Sequence, residues 1–173
     1  MQPCYDEMKP IYTERANRLY EGHMQPVSQK KRVLILCTGN SCRSQIAEAI
    51  VNHFLGDLWQ AASAGTQPSG YVHPLALQAL AELGIQHSGE SKSVDRFRGE
   101  AFDAVITVCD DAAENCPVWL GKGIRAHIGF PDPARAEGTA AEQMIVFRQV
   151  SDDIRTRILD YLQGFSNRER IME

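Results

Sequence analysis

The residues best suited to chemistry lie in one short stretch, residues 37–44, with the sequence CTGNSCRS. Cys37 and Arg43 bracket five small or polar residues. The backbone N–H groups of such a loop can turn inward around a tetrahedral anion, while a guanidinium binds the anion from the side. A cysteine at a helix start beside an arginine is stabilised as the thiolate, so we expect the pKa of Cys37 to lie well below the usual value of about 8.5. The stretch predicts a loop that binds and attacks an oxyanion.

A strand and a helix must hold this loop. Residues 33–36 form a continuous apolar run, which is typical of a strand buried on both faces. Cys42 lies inside the loop, and we expect it to pack beneath the loop because free cysteine behaves as a small buried residue. Ser44 can cap the helix or hydrogen-bond the thiolate. The helix should end before Gly56, and along it Ile46, Ala49, Ile50, His53 and Phe54 recur at helical spacing.

Further strands and helices alternate along the chain. Residues 59–64, 102–108 and 124–128 predict three more strands, and helices are predicted from Pro74 to Gly84 and over residues 139–163. The last helix should begin with a capping box between Thr139 and Glu142. Its apolar stripe is predicted to comprise Ile145, Val146, Val150, Ile154, Ile158, Leu159 and Leu162. We therefore predict an α/β fold, a single-domain, doubly wound parallel sheet of about four strands flanked by helices.

In such a sheet, ligands collect beyond the C-terminal ends of the strands. Cys37, Cys109 and Asp132 each follow a predicted strand, so we expect them at one edge of the sheet. Asp132 stands between Pro131 and Pro133, which stiffen its backbone. A turn aspartate is the simpler interpretation. A displacement at Cys37 needs a proton for the departing oxygen, however, and this favours Asp132 as the general acid.

Two more cysteines, Cys109 and Cys116, are separated by six residues. Common zinc knuckles place two to four residues between their cysteines, so we predict no metal site here. Thiol–disulfide exchange suits such a pair better. The histidines have no metal-ligand spacing and are predicted to be surface or structural groups; they are His23, His53, His73, His87 and His127.

The composition of the chain bounds its class. A length of 173 residues with 43% hydrophobic content suits one domain, and a net charge of −4 argues against nucleic-acid binding. The absence of an 18-residue apolar run and of a signal-peptide pattern predicts a cytoplasmic protein without a membrane span. We predict an N-terminal extension over residues 1–31, partly helical or mobile and containing Cys4, a catalytic domain over residues 32–165 and a tail over residues 166–173.

Three separated motifs together resemble the arsenate reductases built on the low-molecular-weight tyrosine phosphatase fold. They are residues 37–44, the sequence CDDAAENCP at residues 109–117, and GFPDPARAEGT at residues 129–139. The resemblance covers about residues 32–164. It implies that the substrate is arsenate, a small oxyanion, held by the side chains and amides of Thr38, Gly39, Asn40, Ser41, Cys42, Arg43 and Ser44.

The resemblance also implies a covalent mechanism. The Cys37 thiolate attacks arsenic, Arg43 binds the oxyanion and Asp132 protonates the leaving oxygen. Cys109 then attacks Cys37 and releases arsenite, and Cys116 moves the disulfide to the 109–116 pair. In this family that disulfide is commonly reopened by thioredoxin, and the presence of Cys116 favours thioredoxin over a glutaredoxin-like or mycoredoxin-like partner.

The resemblance implies no bound cofactor. Some members bind a potassium ion through residues matching Asn40, Glu48 and Ser63, together with an aspartate whose place is taken here by Lys92. We expect the lysine ammonium to replace the ion, so activity should be largely independent of potassium.

Two other functions share parts of this pattern. A phosphotyrosine phosphatase needs the same loop and acid but neither Cys109 nor Cys116. Phosphatases of this fold usually carry proline after the arginine–serine pair and aromatic residues after the acid, where this chain has Gln45 and Pro133-Ala134. An oxyanion sensor without catalysis is the remaining alternative.

Overall fold

A parallel sheet forms the frame of the molecule. The computed structural model describes residues 29–108 and 121–172, and within them one sheet has the strand order β2-β1-β3-β4, with every neighbouring pair parallel. Its strands are β1 (Lys31–Cys37), β2 (Trp59–Gly65), β3 (Ala104–Thr107) and β4 (Ile124–His127). The helices are α1 (Arg43–Phe54), α2 (Pro74–Glu82) and α3 (Ala140–Met172). The predicted parallel α/β fold is confirmed.

Strand β1 lies between β2 and β3, and its residues 33–36 are buried on both faces, as predicted. Val33 and Ile35 belong to a large apolar cluster shared with all three helices. Leu34 and Leu36 belong to a smaller cluster on the opposite face. Two hydrogen-bonded neighbours and two covered faces enclose β1, and its C-terminal end is therefore held firmly.

The smaller cluster is covered by irregular structure. Val94, from the 3₁₀ helix Val94–Phe97, and Phe102 pack there against Leu34 and Leu36. The ring of Phe97 meets that of Phe102 edge to face, with centroids 5.9 Å apart. The polar segment that precedes β3 thus contributes apolar side chains to the sheet.

Helix α3 begins as predicted but presents a different face. Thr139 N and Oγ1 both donate to Glu142 Oε2 at 2.8 Å, and Glu142 N donates to Thr139 Oγ1 at 3.3 Å, which forms the capping box. Ile145, predicted to be in the apolar stripe, is 50% exposed. Met144 and Phe147 are buried instead, because they lie six and three residues, respectively, before buried Val150, whereas Ile145 is rotated off that line. The helix also continues past the predicted end to Met172.

The buried face of helix α1 also differs from the face that the sequence predicts. Phe54, which continues the helical spacing of the apolar residues, is exposed, whereas Ala47, Val51 and Leu55 are buried. His53 is exposed as well, which agrees with a surface histidine. The buried surface is broad because α1 packs on β1 and β2 and also on α2 and α3. Within the described residues, no helix is long and apolar enough to cross a membrane.

The register of α3 can be tested by comparing two isoleucines on it. Ile154 is fully buried, so Ile154→Ala should lower the free energy of unfolding by about 2–5 kcal/mol through lost burial and a cavity. Ile145→Ala removes the same atoms from an exposed site and should change it by no more than about 0.5 kcal/mol. Urea denaturation of the full chain measures both. If both variants lost the same free energy of unfolding, Ile145 would belong to the buried face of α3, as the sequence predicts.

Candidate active site

The loop predicted to bind an oxyanion joins the C-terminal end of β1 to the first turn of α1; we call residues 37–44 the cradle. Each carbonyl of residues 37–42 accepts a hydrogen bond, in chain order from Thr66 N, Gln67 N, Ser69 N, Gln45 Nε2, His73 N and Ile46 N, at 2.9–3.2 Å. In a trans peptide the N–H points away from the C=O. The amides of residues 38–43 therefore turn to the inner side, where an anion can meet them.

The end of β2 packs directly against the cradle. A Cβ atom on Gly65 would lie 2.5 Å from Thr38 O and 3.0 Å from the side chain of Asn40. Any side chain at this position would displace the backbone of the cradle, so only glycine fits here.

Cys37 lies at the base of the cradle and is 3% exposed. Its Sγ is 2.9 Å from Ser44 Oγ and accepts a hydrogen bond from Asn40 N at 3.1 Å. Asn40 Nδ2 donates to Ser44 Oγ at 2.9 Å, which leaves the serine hydroxyl proton available for the sulfur. Donors directed at sulfur stabilise a thiolate. Of the two uses predicted for Ser44, the structure shows the contact with sulfur, and no side chain caps α1.

Asn40 fixes the turn within the cradle. It is fully buried with φ of +46°, and among the described residues it alone combines a side chain with a positive φ. Its Nδ2 donates to the hydroxyls of Ser44 and Ser63, at 2.9 and 2.8 Å. Its Oδ1 accepts from Gln45 Nε2 at 3.0 Å and from Lys92 N at 2.7 Å. All four hydrogen-bonding positions of the amide are filled, and they stabilise the left-handed conformation.

Arg43 links the cradle to the predicted acid. The guanidinium is nearly buried, and its Nη1 donates to Phe130 O at 3.1 Å. Its Nη2 lies 3.3 Å from Asp132 Oδ2. Asp132 Oδ1 also accepts from Ala134 N at 3.2 Å, where the 3₁₀ helix Pro133–Arg135 begins. The structure thus brings Asp132 to the same edge as Cys37 and Arg43, where the strand-end rule placed it.

These groups line a cavity of about 130 Å³. That volume is below the roughly 300 Å³ at which pockets for drug-sized ligands begin, so the cavity suits a small ligand. Its walls are formed by Cys37, Gly39, Ser41, Cys42, Arg43, Ser69, Tyr71, His73, Asp132 and Ala134.

A larger cleft of about 580 Å³ lies next to α1 and is lined by no residue of the cradle. It contains no cysteine, and its charged groups pair with one another, Lys92 with Glu48 and Arg96 with Glu90. The smaller cavity holds the nucleophile, and we take it as the candidate site.

Sequence reasoning missed the wall of the cavity that follows β2. Ser69, Tyr71 and His73 come from this connection, in which the sequence predicted no functional residue. A signal was available, because β2 is parallel to β1 and the residue after its end must emerge at the same edge. Gln45 was noted only for not being proline. It is fully buried, and its Nε2 lies near Asn40 Oδ1 and Glu90 O while its Oε1 is 2.7 Å from His87 Nε2.

Cys42 is buried beneath the cradle, as expected. Burial, reinforced by the negative charge of Asp132, raises the pKa of its thiol to about 12. The Cys42 thiol therefore stays protonated in neutral solution and is a poor nucleophile.

Cys109 and Cys116 lie outside the described residues, as do Cys4 and most of the predicted N-terminal extension. The described chain before Cys109 ends at Val108, whose N donates to Leu36 O at 2.9 Å. This bond continues the pairing of β1 with β3 beyond Thr107, so Val108 lies beside the end of β1 at which Cys37 stands.

Comparisons with known proteins agree with this geometry. Residues 32–170 match the family described as low molecular weight phosphotyrosine protein phosphatase. The chain belongs to this family. It is 44% identical over 135 residues to an arsenate reductase from Halalkalibacterium halodurans, an alignment that covers 78% of this chain and 96% of the relative. The resemblance to arsenate reductases seen in the three motifs is confirmed.

Solved structures of arsenate reductases are also similar to this chain. An arsenate reductase in a phosphate-binding state has a TM-score of 0.62 and 26% identity, over 78% of this chain and 98% of that one. A thioredoxin-dependent arsenate reductase from Corynebacterium glutamicum has a TM-score of 0.60 and 26% identity, over 89% of this chain and 70% of that one.

The state of the two cradle cysteines can be tested by alkylation. Because the pKa of Cys42 is raised to about 12, its thiolate fraction stays negligible from pH 6 to 9 and iodoacetamide should spare it in the native protein. Cys37 should be labelled, because donors stabilise its thiolate. Peptide mass mapping reads both sites, and labelling in urea serves as the control in which Cys42 also reacts. Equal labelling of the two in native protein would contradict the assignment.

Proposed function

We propose that this protein reduces arsenate to arsenite, with Cys37 as the nucleophile. The observation that carries the proposal is the placement of the Cys37 sulfur, which is hydrogen-bonded at the base of a small cavity whose wall includes Arg43 and Asp132. The relatives named arsenate reductase support arsenate as the oxyanion.

The first step is a displacement at arsenic. The amides of residues 38–43 and the Arg43 guanidinium bind the arsenate oxygens, and the Cys37 thiolate attacks arsenic to form a sulfur–arsenic bond. One oxygen departs as water with a proton from Asp132. The carboxyl group lies within 3.3 Å of the guanidinium, so it stands beside the oxygens that Arg43 binds.

The second step is the reduction. The Cys109 thiolate attacks Cys37 Sγ, the sulfur–arsenic bond breaks, and its electron pair passes to arsenic, which leaves as arsenite. A Cys37–Cys109 disulfide forms. Adjacent strands lie about 4.8 Å apart, and Val108, which precedes Cys109 in the sequence, pairs with the end of β1 at which Cys37 stands, which supports this route.

The remaining steps restore the enzyme. Cys116 attacks Cys109, so Cys37 is released as a thiolate and the disulfide moves to the 109–116 pair. A reduced dithiol protein then reopens that disulfide. We propose thioredoxin as this reductant, supported by the thioredoxin-dependent relative from Corynebacterium glutamicum, with a glutaredoxin- or mycoredoxin-like partner less favoured. We place the enzyme in the cytoplasm, where free thiols persist.

A coupled assay tests the relay. Wild type with arsenate, thioredoxin, thioredoxin reductase and NADPH should consume NADPH in proportion to arsenate. Cys116→Ser should lose steady-state turnover, because the Cys37–Cys109 disulfide would no longer be moved to the 109–116 pair. It should still release one equivalent of arsenite in a single turnover.

Two outcomes would contradict the proposal. If wild type consumed no NADPH with arsenate but hydrolysed an aryl phosphate, the phosphatase alternative would be favoured. Unchanged steady-state turnover of Cys116→Ser would exclude the three-thiol relay and leave a two-thiol route through an external thiol.

We further propose that a lysine replaces the potassium ion bound by some relatives. Lys92 Nζ lies 3.5 Å from Glu48 Oε2, and both side chains are largely buried. Ser63 Oγ donates to the same carboxylate oxygen and accepts from Asn40 Nδ2 at 2.8 Å. The ammonium therefore stands among the side chains that were expected to surround the ion, and an internal cation makes an added one redundant.

This proposal predicts the response to salt. Exchange of sodium for potassium at constant ionic strength should leave turnover and melting temperature of wild type nearly unchanged. Lys92→Asp removes the internal cation and adds a carboxylate, so this variant should be less stable in sodium and recover in potassium. The Lys92→Met variant is the control for loss of the lysine without an added carboxylate. A strong rise of wild-type turnover in potassium would overturn the proposal that Lys92 replaces the ion.

A further inference from the structure

His73 belongs to the wall of the candidate cavity, although the chemistry described above does not use it. It follows β2 and directly precedes α2, and it lines the same cavity as Cys37, Arg43 and Asp132. Its backbone N donates to Ser41 O at 3.0 Å, so the residue is attached to the cradle itself. A shift of the cradle would therefore carry His73 with it.

The His73 ring is held in one orientation by two contacts. Nδ1 accepts a hydrogen bond from Leu75 N at 3.2 Å, which caps the N-terminus of α2. The ring also stacks on Phe147 of α3, with centroids 4.8 Å apart and an interplanar angle of 23°. A ring fixed in this way is preorganised, and little conformational entropy is lost when it meets a ligand.

The cap also determines the tautomer. A nitrogen that accepts a hydrogen bond carries no proton, so the neutral ring must hold its proton on Nε2. Among the described residues, no hydrogen bond occupies that nitrogen. Burial lowers the pKa of His73 more than the nearby charge of Asp132 raises it, so the ring is neutral, with a free Nε2–H donor, at neutral pH.

We propose that His73 is a substrate-binding residue whose Nε2–H donates to an oxygen of the tetrahedral oxyanion in the cavity. The cradle amides and Arg43 bind the anion from the base of the cavity and one side, and His73 adds an uncharged donor from the β2–α2 connection. The identity of the anion as arsenate rests on the proposed function. The hydrogen bond itself requires only a tetrahedral oxyanion.

A cap alone does not need histidine. Serine and asparagine are among the preferred N-cap residues, and they supply the acceptor with a shorter side chain. The imidazole combines this acceptor with a second, donating nitrogen on the far side of the ring. This allows a substitution that keeps the cap and removes the donor.

The test uses three variants of the full chain with inorganic phosphate as the probe. His73→Ser keeps a capping oxygen but lacks the ring, and His73→Ala lacks both. Thr139→Ala removes a cap from α3, away from the cavity. Titration calorimetry measures phosphate affinity, and thermal unfolding measures stability.

Both His73 variants should bind phosphate about tenfold or more weakly than wild type, since a hydrogen bond to a charged group is lost. His73→Ala should be less stable than His73→Ser. Thr139→Ala should lose stability but retain wild-type affinity. The Nε2 resonance of His73, observed by ¹⁵N NMR, should shift when phosphate is added to wild type.

The inference is overturned if His73→Ser binds phosphate as tightly as wild type, or if phosphate does not shift the Nε2 resonance. In either case His73 would serve only as the N-cap of α2. Affinity losses that follow melting temperature across all three variants would do the same. If wild type binds phosphate without reducing arsenate, the proposed function fails while the phosphate titrations still decide the role of His73.

Discussion

The shape of the cradle depends on one buried side-chain amide, that of Asn40. Asn40 holds a left-handed backbone conformation, and its side chain makes four hydrogen bonds to the elements around it. Two of these reach Ser63 on β2 and Lys92 before β3, far apart in sequence. The turn at Asn40 directs its own N–H to the Cys37 sulfur, and the amide orients the hydroxyl of Ser44 toward the same atom. Without that turn, the loop would keep its composition but lose the arrangement that stabilises a thiolate.

The surrounding structure directs the rest of the cradle by satisfying its carbonyl groups. Each carbonyl of residues 37–42 accepts a hydrogen bond from a donor outside the cradle. The N–H groups of the same peptides therefore point the other way, into the cavity. Most of these donors come from the connection after β2, which approaches closely only because residue 65 is glycine. The same connection supplies His73. Binding surface and structural support are therefore two sides of the same peptides.

Much of the fold was readable from the chain, and the errors have a common cause. Apolar runs and turn signals placed every described strand, and the capping box at Thr139 was correct. The inward faces of α1 and α3 were less accurate, since Phe54 and Ile145 are exposed. Hydrophobicity along a helix shows that a face exists, but which residues form its edges depends on how neighbouring elements pack. For α1, which contacts both the sheet and two helices, that face is unusually wide.

The sequence by itself determined the type of loop, the order of the motifs and the arrival of Asp132 at the edge where Cys37 stands. These follow from local rules, namely residue type, spacing and the common direction of parallel strands. Only the tertiary structure decided that Arg43 reaches Asp132 at 3.3 Å, that Gln45 supports Asn40, and that His73 lines the cavity. Such contacts join segments separated by long stretches of chain, and their geometry depends on the packing of whole elements, which no local pattern records.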